Sequence, residues 1–226
     1  MSHISLFACL AIFISHTLAI DKTVNPELNA KLKLVATNLD RHNVLAKDGG
    51  WEFPGSVVNA NAATFPALTG VGMMLAMLNL GPCAMFPPHL HPRATNLVVA
   101  VSGDTTSYMV GENGAKVITT KLTPGVMTIF PQGSLHMMAN NGCGNAQLVS
   151  ALNHEDTGTT NLFNSAFGNL PSEYLQATFG DYGFDIEHMG KNIPEVGTGS
   201  VPGSAECMKR CGLNGQKSGK IKRLVV

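Results

Sequence analysis

The sequence predicts an all-β protein: a sandwich or closed barrel of short strands, with helices confined to its two ends. Three observations predict it. The 226 residues include 24 Gly and 12 Pro, while Asp, Glu, Lys and Arg together make up 13%, the balance of a turn-rich globular chain rather than a helical bundle or a disordered one. Short β-prone runs then recur at roughly even spacing, at residues 71–80, 97–101, 106–110, 116–122, 126–130 and 147–153. Between them stand turn signals: Gly103-Asp104, Glu112-Asn113-Gly114, Pro124-Gly125 and Asn141-Gly142. Finally, no helical period interrupts residues 71–153, which excludes a parallel α/β sheet.

The flanks read differently. Residues 26–41 open with Pro26 and Glu27 and repeat Leu28, Leu32, Val35 and Leu39 at helical spacing, leading to a Gly49-Gly50 break. After Asp156 a helix is expected over residues 161–167 and another from Pro171-Ser172-Glu173 to Thr178. The stretch 197–204 reads as a Gly/Pro/Ser linker, followed by a short helix through Cys207 and Cys211 that ends at Gly212. Met73, Met85, Phe130, Met137 and Met138 are expected to line the interior.

The first 20 residues carry no charge, and their apolar run 4–14 fits a signal-peptide core but is too short to span a bilayer. The expected organisation is a signal peptide over 1–20 cleaved near 19/20, a helical extension over 21–50, the barrel with trailing helices over 51–196, and the linker, Cys helix and basic tail over 197–226. The chain is expected to be secreted, to the medium or to a cell or spore wall. Fifteen basic and fifteen acidic residues balance to zero, which gives no electrostatic footprint for nucleic acid, and no later segment suits a membrane span. Cys9 would leave with the leader, so Cys83, Cys143, Cys207 and Cys211 remain, an even number compatible with disulfides.

The chemistry concentrates in three histidines. His89 and His91 stand two apart, a spacing that places both side chains on one face of a strand. His136 follows Pro131-Gln132-Gly133 at the end of another strand-like run. Brought together inside a barrel, three neutral imidazoles make a site for a first-row divalent metal. The surrounding residues resemble the germin-like (type-1) cupin family. Pro87-Pro88-His89-Leu90-His91-Pro92-Arg93-Ala94-Thr95-Asn96 with Gly103 matches its first sequence box, and Gly125, Pro131, Gly133, His136 and Asn140 match its second. Over residues 50–212 the chain is similar to the spherulin-like germin proteins of fungi and slime moulds. The resemblance implies a jelly-roll barrel, a manganese site, secretion and homo-oligomers, with oxalate oxidation or superoxide dismutation as the family's activities.

One position departs from the pattern. The family's fourth ligand is a glutamate, and Asn96 stands in its place. An amide can offer a carbonyl oxygen but cancels no charge, so Asn96 is expected to be a weak ligand or none. Manganese, lowest in the divalent affinity order and fond of oxygen donors, should suffer most, and copper, zinc or iron become alternatives. Weak or altered redox activity on a small anion follows. The other expectations are a non-catalytic wall or storage protein with a vestigial pocket, or a barrel that binds or isomerises a small organic molecule. Arg93 is either a guide for an anionic substrate or a solvated turn residue, and Asn140 a strand-end hydrogen bonder. Cys83 precedes the His89 strand and Cys143 follows the His136 strand, so a Cys83–Cys143 bridge is expected if those strands are neighbours. The sequence does not choose partners for Cys207 and Cys211.

Overall fold

The computed structural model of the chain describes residues 25–48, 59–180, 183–194, 196 and 200–213. The expected signal peptide, the Gly49-Gly50 break and the basic tail lie outside the described residues. Two antiparallel sheets face each other. The first has the order β1 (Asn59–Ala60), β2 (Met74–Leu80), β9 (Ala146–Leu152), β4 (Asn96–Ser102), β7 (Met127–Phe130). The second has the order β10 (Thr160–Asn161), β3 (Ala84–Leu90), β8 (Leu135–Asn140), β5 (Thr105–Val110), β6 (Ile118–Leu122), with β11 (Val201–Pro202) also paired to β3. From β2 to β5 and again from β6 to β10 consecutive strands alternate between the sheets, the arrangement of a jelly roll. Among the described residues no helix is long and apolar enough to cross a membrane.

Period-two alternation sorts the side chains. On β4, Asn96, Val98 and Ala100 point inward, and on β9 so do Ala146, Leu148, Ser150 and Leu152. Leu80, Val98, Leu122, Phe130, Met138 and Leu148 are each at most 1% exposed and form the packed core between the sheets. The same alternation corrects part of the expected lining. Met138 and Phe130 are interior, but Met137 faces the other side of β8, Met85 is only partly buried and Met73 is 50% exposed, just outside β2. Gly103 turns the chain from β4 of the first sheet to β5 of the second at φ +84°, and an added Cβ would sit 2.4 Å from that of Ala146, so the closing glycine of the first box is required twice over.

The N-terminal helix is two helices, α1 (Pro26–Leu34) and α2 (Asn38–Asp48). The break has a local cause. Thr37 Oγ1 accepts from the Asp40 amide at 3.1 Å and donates to the Asp40 carboxylate at 2.7 Å, an N-terminal cap that starts a new helix. Leu28 and Leu32 are buried, whereas Leu39 of the same expected stripe is 69% exposed. Beyond the barrel lie α3 (Leu162–Asn169), α4 (Ser172–Thr178), α5 (Ile186–Asn192) and α6 (Ala205–Arg210).

The expected Cys83–Cys143 bridge is overturned. Cys83 bonds Cys207 and Cys143 bonds Cys211. The premise about the strands is sound, because β3 pairs β8 and the Cys83 amide donates to Gly142 O at 3.1 Å. The premise about the tail is not. Residues 201–202, in the stretch read as a linker, pair with Met85 and Ala84 of β3, and this lays α6 against the two cysteine loops. Cys207 and Cys211, one helical turn apart, face the same side and take one partner each. A Cβ at Gly203 would meet Cys83 O at 2.4 Å, so the chain passes the barrel too closely for any other residue there.

Candidate metal centre

His89 and His136 are direct cross-strand partners on β3 and β8. His91 lies one residue beyond the end of β3, where its carbonyl accepts from the Gly133 amide at 3.0 Å. The register between β3 and β8 shifts between Phe86 and His89, across Pro87 and Pro88, which have no N–H to give a ladder. The three rings converge, with centroids 4.3 Å apart for His89–His136, 5.3 Å for His89–His91 and 5.4 Å for His91–His136. One ligating atom from each lies within 4.8 Å of the others. Phe130 stacks on His136 at 4.1 Å and closes that side.

Each ring is held from behind by a backbone carbonyl. His89 Nδ1 donates to Pro87 O at 2.8 Å, His91 Nδ1 to Gly158 O at 2.8 Å and His136 Nδ1 to Ser134 O at 2.9 Å. A ring that donates from Nδ1 carries its lone pair on Nε2. All three Nε2 atoms are therefore acceptors, and His136 Nε2 is buried with no hydrogen-bond partner. Buried polar atoms are rarely left so, and an unpartnered imidazole lone pair among two others is the donor set a divalent metal takes. The residues present fit such an ion. Burial lowers the pKa of His89 from 6.5 to about 4. For His136, burial first and the neighbouring His89 second lower it to about 3, and burial also lowers that of His91. The rings are neutral and ready to ligate at ordinary pH.

Their pKa values also predict how the metal-free protein responds to acid. Depressed imidazoles stay neutral when folded but protonate near 6.5 when unfolded, so the unfolded state binds more protons as the pH falls. The stability of the metal-free chain will drop as the pH falls from about 6.5 to about 3, read as a falling melting temperature. In the triple His→Ala variant this component of the slope will be gone.

Asn96 comes from the opposite sheet and is 2% exposed. It shares a cavity of about 90 Å³ with His89 and His91, and its Oδ1 accepts from Ser150 Oγ at 2.5 Å. The walls are largely apolar, with Met74, Leu78, Phe86, Met138 and Leu152 among them, and among the described residues no Asp, Glu, Lys or Arg lines the cavity. A divalent metal here would keep its full charge.

Arg93 does not face this cavity. It ties down a loop, donating from Nε to Asp156 O at 2.7 Å and pairing with Asp156 Oδ1 at 2.8 Å. That loop carries Gly158, the carbonyl acceptor for His91, a contact across 67 residues that no local motif announces. Asn140 has the strand-end role expected of it, with Nδ2 donating to Gly81 O and Gly144 O, each at 2.8 Å, and Oδ1 accepting from the Gly142 amide at 2.9 Å. Gly158 has φ +64°, and a Cβ there would meet Arg93 and Pro92 side-chain atoms at 2.9 Å. Gly158→Ala will displace the carbonyl behind His91 and weaken metal binding about tenfold, the lower end for loss of a ligand's outer partner. A competition titration against a chelator checks this, with a thermal melt to show that the barrel persists.

The family model described as Cupin matches residues 42–182. The chain is 32% identical over 204 residues to spherulin-1A of Physarum polycephalum, covering 84% of this chain and 81% of that protein. It is 33% identical over 118 residues to putative germin-like protein 2-2 of Oryza sativa subsp. japonica, covering 52% and 53%; the chain spans about half the length of that relative. Among solved structures, oxalate oxidase in complex with the substrate analogue glycolate superposes with a TM-score of 0.58 at 23% identity, covering 63% of this chain and 75% of that one, a likeness of fold. With both sequence boxes, the two facing sheets and these relatives in agreement, the chain belongs to the cupin family as a germin-like member related to the spherulins.

Proposed function

We propose that this chain is an exported metal-binding cupin in which His89, His91 and His136 hold a divalent transition metal that takes a small anion at an open position. The observation that carries the reading is the set of three imidazoles, each with Nδ1 committed to a carbonyl and Nε2 turned to a common point. A bound metal would supply Lewis acidity and, where its oxidation states allow, one-electron exchange. The chain's own residues fix the ring tautomers, exclude bulk water with Phe130, Met138 and Leu152, and leave room for only a few ligand atoms. Manganese is the ion of the germin resemblance; the all-nitrogen set suits copper, zinc or iron better. Two disulfides fit an oxidising compartment. A homo-oligomer would cover the outward row Leu75, Leu97 and Ile129 on the first sheet, exposed at 38%, 44% and 52%.

The proposed activity is a weak or altered redox reaction of the oxalate oxidase or superoxide dismutase type. The observation favouring a second reading, a non-catalytic wall or storage protein, is that no carboxylate lines the cavity among the described residues. Turnover of oxalate and of superoxide by protein loaded in turn with manganese, copper, iron and zinc separates them. The redox reading predicts turnover with at least one redox-active metal, lost in the triple His→Ala variant. A loaded protein inert toward both substrates would favour the second reading.

A further inference from the structure

We infer that Asn96 is an anion donor rather than a metal ligand: Ser150 fixes its amide so that Nδ2 faces the cavity and hydrogen-bonds a small anion held on the metal. This rests on the metal-binding reading above and adds a specificity-determining residue to it. The backbone of Asn96 is fixed on both sides, paired to Phe130 of β7 and to Leu152 of β9. Its side chain and that of Ser150 are inward-facing diagonal neighbours, since Ser150 pairs with Val98. The Ser150 hydroxyl donates to Asn96 Oδ1 at 2.5 Å, and both residues line the cavity.

That bond decides the role of the amide. Its oxygen is the atom that would ligate a metal, and the hydroxyl occupies it. The nitrogen is a donor only and makes no hydrogen bond among the described residues. An N–H on a residue that lines a largely apolar cavity is satisfied by an acceptor that enters it. Among the described residues no carboxylate lines the cavity, so the acceptor is the ligand. Charge points the same way: three neutral imidazoles leave the metal's two positive charges uncancelled, and no cationic side chain competes for the anion. A carboxylate at this position would instead fill a coordination site and repel an incoming anion. The ligand class is therefore a small monoanion with an acceptor atom beside its metal-bound one, such as a short carboxylate or a diatomic or triatomic anion.

The experiment is a pair of titrations on the cobalt(II)-loaded protein. Metal affinity is read by competition with a chelator, and azide binding by the visible cobalt bands. Asn96→Ala, Ser150→Ala and Asn96→Glu are compared with wild type, each checked by its thermal melt. Asn96→Ala and Ser150→Ala should leave metal affinity within about threefold of wild type and weaken azide by about tenfold or more, the size of a lost hydrogen bond to a charged group. Asn96→Glu should tighten the metal and weaken azide binding, since a carboxylate cancels part of the metal's charge and donates no hydrogen bond. Loss of metal affinity by about tenfold or more in Asn96→Ala, with the fold intact, would make Asn96 a ligand and overturn the inference alone. Azide affinity unchanged in both Ala variants would also overturn it alone. A wild-type chain that takes no cobalt would overturn the metal reading and this inference together.

Discussion

Replacing His136 by alanine will remove metal binding while the barrel stays folded. Its Nε2 is, among the described residues, the one histidine nitrogen buried with no partner, and the residue is 3% exposed with its ring beneath Phe130. Among the described residues no carboxylate or thiol lines the neighbouring cavity to take its place. Loss of even an outer partner costs about 10–100-fold in affinity, so loss of this ligand should cost at least 100-fold. The fold should survive because the deleted ring makes one structural hydrogen bond, to Ser134 O, and its removal relieves an unsatisfied atom. A chelator competition titration with a parallel thermal melt measures both. Wild-type affinity in His136→Ala would place the metal elsewhere.

The second large effect belongs to the two disulfides. They close loops of 124 and 68 residues in sequence separation, and each joins α6 to a loop at the β3–β8 end of the barrel. In the chain-entropy account each bridge is worth about 4–5 kcal/mol, and measured losses run at about 2–5 kcal/mol. Cys207→Ser with Cys211→Ser will therefore lower the denaturation midpoint sharply and free the 200–213 segment to proteolysis. It will leave the metal site in place, since that site draws on β3, β8 and the 156–158 loop instead. Mass mapping of the non-reduced protein should find Cys83 joined to Cys207 and Cys143 to Cys211. A Cys83–Cys143 peptide would contradict the account of how the tail returns to the barrel.

What the sequence made legible was whatever depends on short spacing. The turn signals at Gly103, Gly125 and Asn141-Gly142 bounded six strand runs that the structure places within three residues at each end, although β3 and β8 were not among those runs. The two boxes brought His89, His91 and His136 to one point because β3 and β8 pair directly at His89 and His136. The split of the N-terminal helix was also legible, through the Thr37–Asp40 cap, but the apolar repeat hid it. Helix α5 was missed, although Asp185 caps it by accepting from the His188 amide at 2.8 Å; its seven residues show too little periodicity. The rest was set by distant approach. Nothing near His91 marks Gly158 as its support, and nothing in 197–204 marks residues 201–202 as a strand on β3. Both are made by tertiary packing, and the cysteine pairing followed the second. The orientation of Asn96 likewise depends on Ser150, which lies 54 residues away on another strand.

The most direct test of the central claim is the coordination of copper(II) added to the metal-free protein, read by pulsed electron paramagnetic resonance together with metal stoichiometry by plasma mass spectrometry. The account predicts one metal per chain, with echo modulation from the remote Nδ1 nitrogens of imidazoles bound through Nε2, abolished in the triple His89, His91, His136→Ala variant. Copper bound without imidazole modulation, or bound equally well by the triple variant, would contradict it.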